Sequence, residues 1–296
     1  MIEVLSPGPL ATVQDLGRLG YSDLGVSRSG AADRGALRLA NRLVGNDESA
    51  AGIEITFGGL ALRLADAATV AFTGARCGLS GHRGGWNAAL SCPAGSVLAV
   101  GAPVTGLRSY LAVRGGLAVA PVLGSRATDT LSGLGPIVLA AGRRLPIGAA
   151  VAGEPSDFSG AAGSGPPPGT PTLRLAAGPR ADWFTPESLR RLFGSPWQVR
   201  PDSNRIGIRL AGSALGLRSD AERAAAELPS EPTLPGAVQA PPDGQPIVLG
   251  PDAPVTGGYP VIAVLPAAEL DLLAQLRPGA ELRFAPVRAA WGHRSG

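Results

Sequence analysis

Short apolar runs divided by glycine and proline set the frame for any fold this chain can adopt. The 296 residues include 43 glycines and 28 prolines, so regular structure is interrupted every few positions. Punctuation of that kind between short apolar segments marks turn-rich β structure. No G-X-Y period accompanies it, which excludes collagen. Apolar residues make up 45% of the chain, enough for a sizeable core and too many for wholesale disorder. The expected fold class is therefore mainly β, with a few short helices.

Strands are expected over residues 60–64, 69–73, 110–113, 173–175, 207–210, 247–249 and 261–265. A form G-x-x-L-x-apolar recurs at Gly95–Val100, Gly142–Ile147 and Gly279–Phe284. In each, glycine permits a turn, and the leucine and the residue two beyond it face the same side of the following strand. Three helices stand out. Residues 33–44 carry Ala36, Leu37, Ala40, Leu43 and Val44 on one stripe and stop at Gly45. Residues 185–193 begin with a Thr cap and Pro186, and residues 267–276 put Leu270, Leu273 and Leu276 on one face. Ser219-Asp220-Ala221-Glu222 matches a capping box and suggests a further short helix.

A Gly/Ser/Pro-rich segment at 153–171 has almost nothing apolar to bury and reads as a linker or loop. It separates an N-terminal β-rich part, 1–155, from a C-terminal part, 172–288, each of ordinary domain size.

Several function classes drop out. All basic side chains are arginine; the chain has no lysine. It therefore offers no P-loop lysine, no Schiff base and no attachment point for biotin. A net charge of +3 without a basic run gives no argument for nucleic acid. Cys77 and Cys92 are too few for a disulfide framework and lack metal spacing. His82 and His293 are the only histidines, and no clustered ligand set for zinc is visible. No apolar stretch approaches the roughly eighteen residues of a membrane span, and the first residues do not resemble a signal peptide. A cytoplasmic protein is expected.

The segment richest in chemistry is PGAVQAPPDGQPIVLGPDAPVTGGYP, residues 235–260. Asp243-Gly244 signals a turn that sets a carboxylate at a loop tip, stiffened by Pro241, Pro242 and Pro246. A carboxylate so held can act as general base on water, while Gln239 and Gln245 can read an amide edge by donor and acceptor. Thr256-Gly257-Gly258-Tyr259-Pro260 exposes backbone N–H groups suited to an anion. Asn204 and Arg205 stand at a strand lip, where Arg205 can clamp a carboxylate or pair within a barrel rim. Gln14, Asp15, Arg18 and Ser29 flank a tight Gly-rich entry to the first helix, as site residues or as turn and cap residues.

In chain order, TVQDLGR, GVSRSGAAD, LRLANRLVGND, YLAVRGG, VLGSRAT, SNRIG, PGAVQAPPDGQP and TGGYP resemble the allophanate hydrolase subunit 2 family. That family includes the C subunit of prokaryotic 5-oxoprolinase, the antagonist of a sporulation-kinase inhibitor, and a carboxyltransferase subdomain of urea carboxylase. The resemblance spans about residues 2 to 287. It implies cyclophilin-like β-barrel subdomains, pairing with a subunit 1 protein and, for 5-oxoproline cleavage, a lactam-utilisation protein. The implied reaction opens 5-oxoproline to glutamate with ATP hydrolysis. Phosphorylation of the lactam oxygen would make the carbonyl a better electrophile before water attacks. Carried onto this chain, the resemblance implies a cleft formed by these segments, and within it Asp243, Arg205 and Gln245 are our own expectation for the catalytic roles. It implies substrate contacts from Gln239, Thr256, Tyr259, Gln14, Asp15, Arg18 and Asn204, no metal, and ATP bound by the complex. The alternatives are a regulatory partner of the sister subunit, or a carboxyltransferase-type subunit acting on urea or a similar amide.

Overall fold

The computed structural model describes residues 1–82, 85–156, 169–221, 228–287 and 291. The chain divides into two compact units, Met1–Gly20 with Arg28–Pro166, and Tyr21–Ser27 with Pro167–Gly296. Most of the expected linker lies outside the described residues. So does His293, and the capping-box helix is described only at residues 219–221, all three of which are helical.

Unit 1 packs two five-stranded sheets on one apolar core. The first runs Arg144–Leu145, Ile2–Pro7, Leu60–Leu64, Val97–Pro103, Cys77–Ser80. The second runs Leu10–Gln14, Gly52–Thr56, Arg108–Val113, Ala68–Gly74, Ala89–Cys92. Alternate side chains from both meet between them, among them Ile2, Val4, Leu62 and Leu98 from one and Val13, Ile53, Phe72 and Leu111 from the other. The period of two in each strand puts these residues on a single face. Helix Arg34–Leu43 covers the outer side of the second sheet, where Ala40 and Leu43 pack on Ala71 and Ala112. Its cap is Asp33, whose side chain accepts from Ala36 N at 2.8 Å, satisfying an N–H the helix cannot pair internally.

Unit 2 is a closed seven-stranded barrel in the order Thr172–Ala177, Val261–Val264, Ala237–Gln239, Ile247–Leu249, Gly207–Ala211, Trp197–Val199, Glu281–Pro286. Parallel pairing of Thr172–Ala177 with Glu281–Pro286 closes the ring, so no edge is left open. Trp197, Leu210, Ile262 and Leu282 fill the interior. Helix Pro186–Gly194 starts at Thr185, whose hydroxyl accepts from Ser188 N at 3.1 Å. Helix Ala267–Ala274 completes the unit, with Leu273 buried. The mainly β architecture with few helices is as the sequence implies. Leu60–Leu64 and Ile247–Leu249 have the expected bounds. In the recurrent motif the paired positions Leu98 with Val100 and Leu282 with Phe284 are all buried.

Candidate functional site

Two of the motif loops converge in unit 2. The strand Ala237–Gln239 runs into Pro241-Pro242, and Ala240 N donates to Pro260 O at 3.1 Å. This bond sets the proline pair against Gly258-Tyr259-Pro260. Together with Leu215 and Ala240 these residues line a cavity of about 510 Å³. Pro241 begins a tight turn closed by Gly244 N donating to its carbonyl oxygen at 2.8 Å. Gly244 has φ +69°, and a Cβ there would sit 2.7 Å from Leu215 O; only glycine fits so close an approach.

The turn also fixes Asp243. Its carboxylate accepts from Gln245 N at 2.9 Å and is otherwise exposed, as an Asp in this kind of turn is expected to be. It stands beside the cavity loop and is not part of the cavity wall. Gln245 is not available to read a substrate amide. Its Oε1 accepts from Gly212 N at 3.0 Å and its Nε2 donates to Gly212 O at 3.2 Å. The side chain thereby copies a strand pairing and ties the turn to the neighbouring backbone.

Of the two roles the sequence left open for Arg205, the structure shows the paired one and not the clamp expected of a catalytic residue. Its guanidinium is 1% exposed, and it donates from Nε and Nη2 to the two oxygens of Asp252 at 2.8 and 2.9 Å. Asp252 is itself fully buried. A bidentate buried pair of this kind braces the barrel rim and presents no clamp to a ligand. Asn204 likewise caps its own turn, accepting from Ile206 N at 2.8 Å and Gly207 N at 3.2 Å. Thr256 is exposed on the short strand Thr256–Gly257. Tyr259 is half exposed and lines the cavity. Gln239 is 6% exposed, and its Nε2 has no hydrogen-bond partner.

The N-terminal candidates belong to unit 1 and are drawn into its backbone. Asp15 accepts from Gly17 N at 2.8 Å, Ser125 Oγ at 2.7 Å and Arg126 N at 2.6 Å. Arg18 donates to Val122 O at 3.2 Å and to Ala127 O. Gln14 Nε2 donates to Thr128 O at 2.9 Å and Thr12 Oγ1 at 3.0 Å, while Ser29 Oγ reaches the same Thr128 O at 3.2 Å. These side chains fasten residues 122–128 to the first strands. All four are buried; within unit 1 they take the turn-and-brace role that the sequence left open, in place of the substrate contacts expected of Gln14, Asp15 and Arg18.

A polar cluster that the sequence did not single out lies behind the first helix. Tyr110 OH donates to Glu54 Oε2 at 2.7 Å and accepts from Asp33 N at 2.8 Å. Glu54 Oε2 also accepts from Ala32 N at 2.9 Å, and Arg108 Nε lies 3.6 Å from Glu54 Oε1. Complete burial, with the Glu54 and Asp33 charges adding to it, holds the Tyr110 phenol well above its ordinary pKa. The neutral hydroxyl is therefore a fixed donor that pins the GVSRSGAAD loop. The sequence signal was a glutamate flanked by isoleucines in one strand and an Arg-Ser-Tyr start to another. Among the described residues no group of three or more His, Cys, Asp or Glu is placed to hold a metal ion.

A closed barrel and a two-sheet unit in one chain, with the two glycine-proline loops meeting on the barrel, characterise a recognisable domain type. The chain belongs to the family described as carboxyltransferase domain, subdomain A and B, which it matches over residues 24–286. It is 40% identical over 291 residues to the C subunit of 5-oxoprolinase from Escherichia coli strain K12, covering 96% of this chain and 90% of that protein. It is 34% identical over 312 residues to urea amidolyase of Lachancea kluyveri, covering 96% of this chain but 17% of that protein. The crystal structure of Kluyveromyces lactis urea amidolyase superposes with a TM-score of 0.88 at 31% identity, over 97% of this chain and 19% of that one. The chain thus corresponds to nearly all of the first relative and to one segment of the urea amidolyases.

Proposed function

We propose that this chain is a subunit of an ATP-dependent amide hydrolase that opens 5-oxoproline to glutamate, working with a sister subunit 1 and a lactam-utilisation protein. The observation that carries this reading is the 40% identity sustained over 90% of the Escherichia coli 5-oxoprolinase relative. In unit 2 the cavity between Pro241-Pro242 and Gly258-Tyr259 supports it as a place for a small cyclic amide. Asp243, exposed and oriented by its turn, is assigned the role of general base on water. Gln239 and Tyr259 are assigned to the substrate, and Arg205 and Gln245 to bracing.

This cavity is not shaped for ATP: its wall carries no cation to meet a phosphate. No step at the nucleotide is assigned to this chain, and ATP is left to the rest of the complex.

The test is glutamate release from 5-oxoproline and ATP by the chain assembled with its two partners. Asp243→Ala should lower kcat by about 10²-fold or more, the usual contribution of a positioned base. A wild-type rate in that variant removes the base assignment, and a complete mixture that releases no glutamate removes the reading. The urea amidolyase likeness supports a second reading, a carboxyltransferase acting on urea with biotin carried by another protein. Urea-dependent decarboxylation of a carboxybiotinyl carrier, absent with 5-oxoproline, would select it.

A further inference from the structure

We infer that the outward face of helix Arg34–Leu43, together with Arg28, docks an acidic segment of a partner protein. The inference goes beyond the proposed function and makes no use of its cavity. Ala36, Leu37, Ala40 and Leu43 turn inward and are buried. Residues four apart share a face of a helix, so Arg34, Arg38 and Arg42 form one stripe away from that core. Like charges so placed repel one another. Among the described residues Arg38 and Arg42 share one carboxylate: Glu48 lies 2.7 Å from Arg42 and 3.6 Å from Arg38. All three side chains are about half exposed, so the face is open and carries more positive than negative charge.

Arg28 adds an independent observation. It stands half-buried in the loop before the helix, and its Nε has no hydrogen-bond partner among the described residues. Burial, and after it the charge of Arg38, hold its guanidinium below the ordinary arginine range, and no carboxylate offsets either effect. A carboxylate seated against Arg38 from outside would relieve the repulsion that Arg28 feels.

Chemistry selects the occupant. A guanidinium meets a carboxylate through two parallel N–H···O bonds, and every cation of the stripe is an arginine. No aromatic side chain stands in the helix to stack a base. Leu39, its one apolar residue outside the buried set, packs against the core and gives a lipid surface no wedge. Glu48 would repel a polyanion charged at every unit, whereas a peptide can set its carboxylates at the spacing of the arginines.

Fluorescence anisotropy of the full chain with a labelled octaglutamate peptide at low ionic strength tests this, beside oligothymidylate of equal length and phosphatidylserine vesicles. Arg38→Gln with Arg42→Gln should weaken peptide binding by at least about tenfold, the worth of one charged hydrogen bond. Glu48→Gln removes the internal competitor and should tighten binding by about threefold. The control is Arg190→Gln with Arg191→Gln, a pair of exposed arginines that share Glu187 on the other unit's helix; it should leave binding unchanged. Every substituted position is exposed or half exposed, so thermal melting should match the wild type. Absence of peptide binding, an equal loss in the control pair, or looser binding in Glu48→Gln overturns the docking face. Tighter binding of oligothymidylate or vesicles than of the peptide overturns the occupant, and the proposal with it.

Discussion

Gln14, Asp15 and Arg18 are withdrawn from solvent and give their polar atoms to backbone groups around residues 122–128. Asp243 and Asn204, in the other unit, stand at the surface in turns whose own backbone fixes them, and Tyr259 is exposed beside the cavity. Both sets were marked by the same kind of sequence signal, polar residues among glycines. The difference lies in what surrounds them. A buried polar side chain bonds mostly to what is near, and backbone is nearest, although Gln14 Oε1 and Arg18 Nη1 are left without a partner among the described residues. Where a turn holds it outward, it keeps a free edge for chemistry. Polar residues in a glycine-rich segment therefore identify a constrained loop, and burial decides whether that loop is a brace or a site.

The sharpest way to break this contrast is inside unit 2, where Arg205 behaves like the unit 1 residues. Asp252→Ala leaves the Arg205 guanidinium buried without its bidentate acceptor and should cost about 3–5 kcal/mol in urea unfolding. A cost below about 1 kcal/mol would mean that the pair does not brace the rim. Next in size is Tyr110→Phe in unit 1, which removes the donor to Glu54 and the acceptor for Asp33 N, for about 1–3 kcal/mol. This variant carries a pH signature. The folded phenol titrates above its unfolded value. Its contribution is thus fully present below about pH 10 and is lost as pH rises from there through the higher folded value. Alkaline unfolding of the wild type should steepen above that point, and the slope should be absent from Tyr110→Phe. Gln245→Ala removes two bonds to Gly212 at a half-buried position and should cost about 1 kcal/mol. Asp243→Ala should be the mildest, within about 0.5–1 kcal/mol of wild type, since its one local bond is solvent-exposed. A larger loss would place Asp243 with the braces and remove its claim to be a base.

Local features were the legible ones. Thr185 was readable as a cap because a cap and its N–H partner are three residues apart. Leu98 with Val100 and Leu282 with Phe284 were readable because strand alternation has a period of two. The braces were not readable, because each joins residues far apart in the chain. Arg205 and Asp252 are separated by 47 positions, Tyr110 and Glu54 by 56, and Asp15 and Arg126 by 111. No spacing rule connects such pairs; the strand order does. Arginine at a strand lip was correctly seen as either a clamp or a paired residue, and only the position of Asp252 decides between them. The convergence of the PPDGQP and TGGYP loops on one cavity likewise depends on Ala237–Gln239 and Val261–Val264 being neighbours in the barrel.

The ring of unit 2 is sealed by its first and last strands, Thr172–Ala177 lying beside Glu281–Pro286. During synthesis the barrel therefore stays unsealed until residue 286 has emerged from the ribosome, and a chain interrupted before that point exposes two unpaired strand edges. Bringing together segments more than a hundred residues apart also makes this a slow closing event. The nascent half-barrel is the species that a chaperone would have to shield.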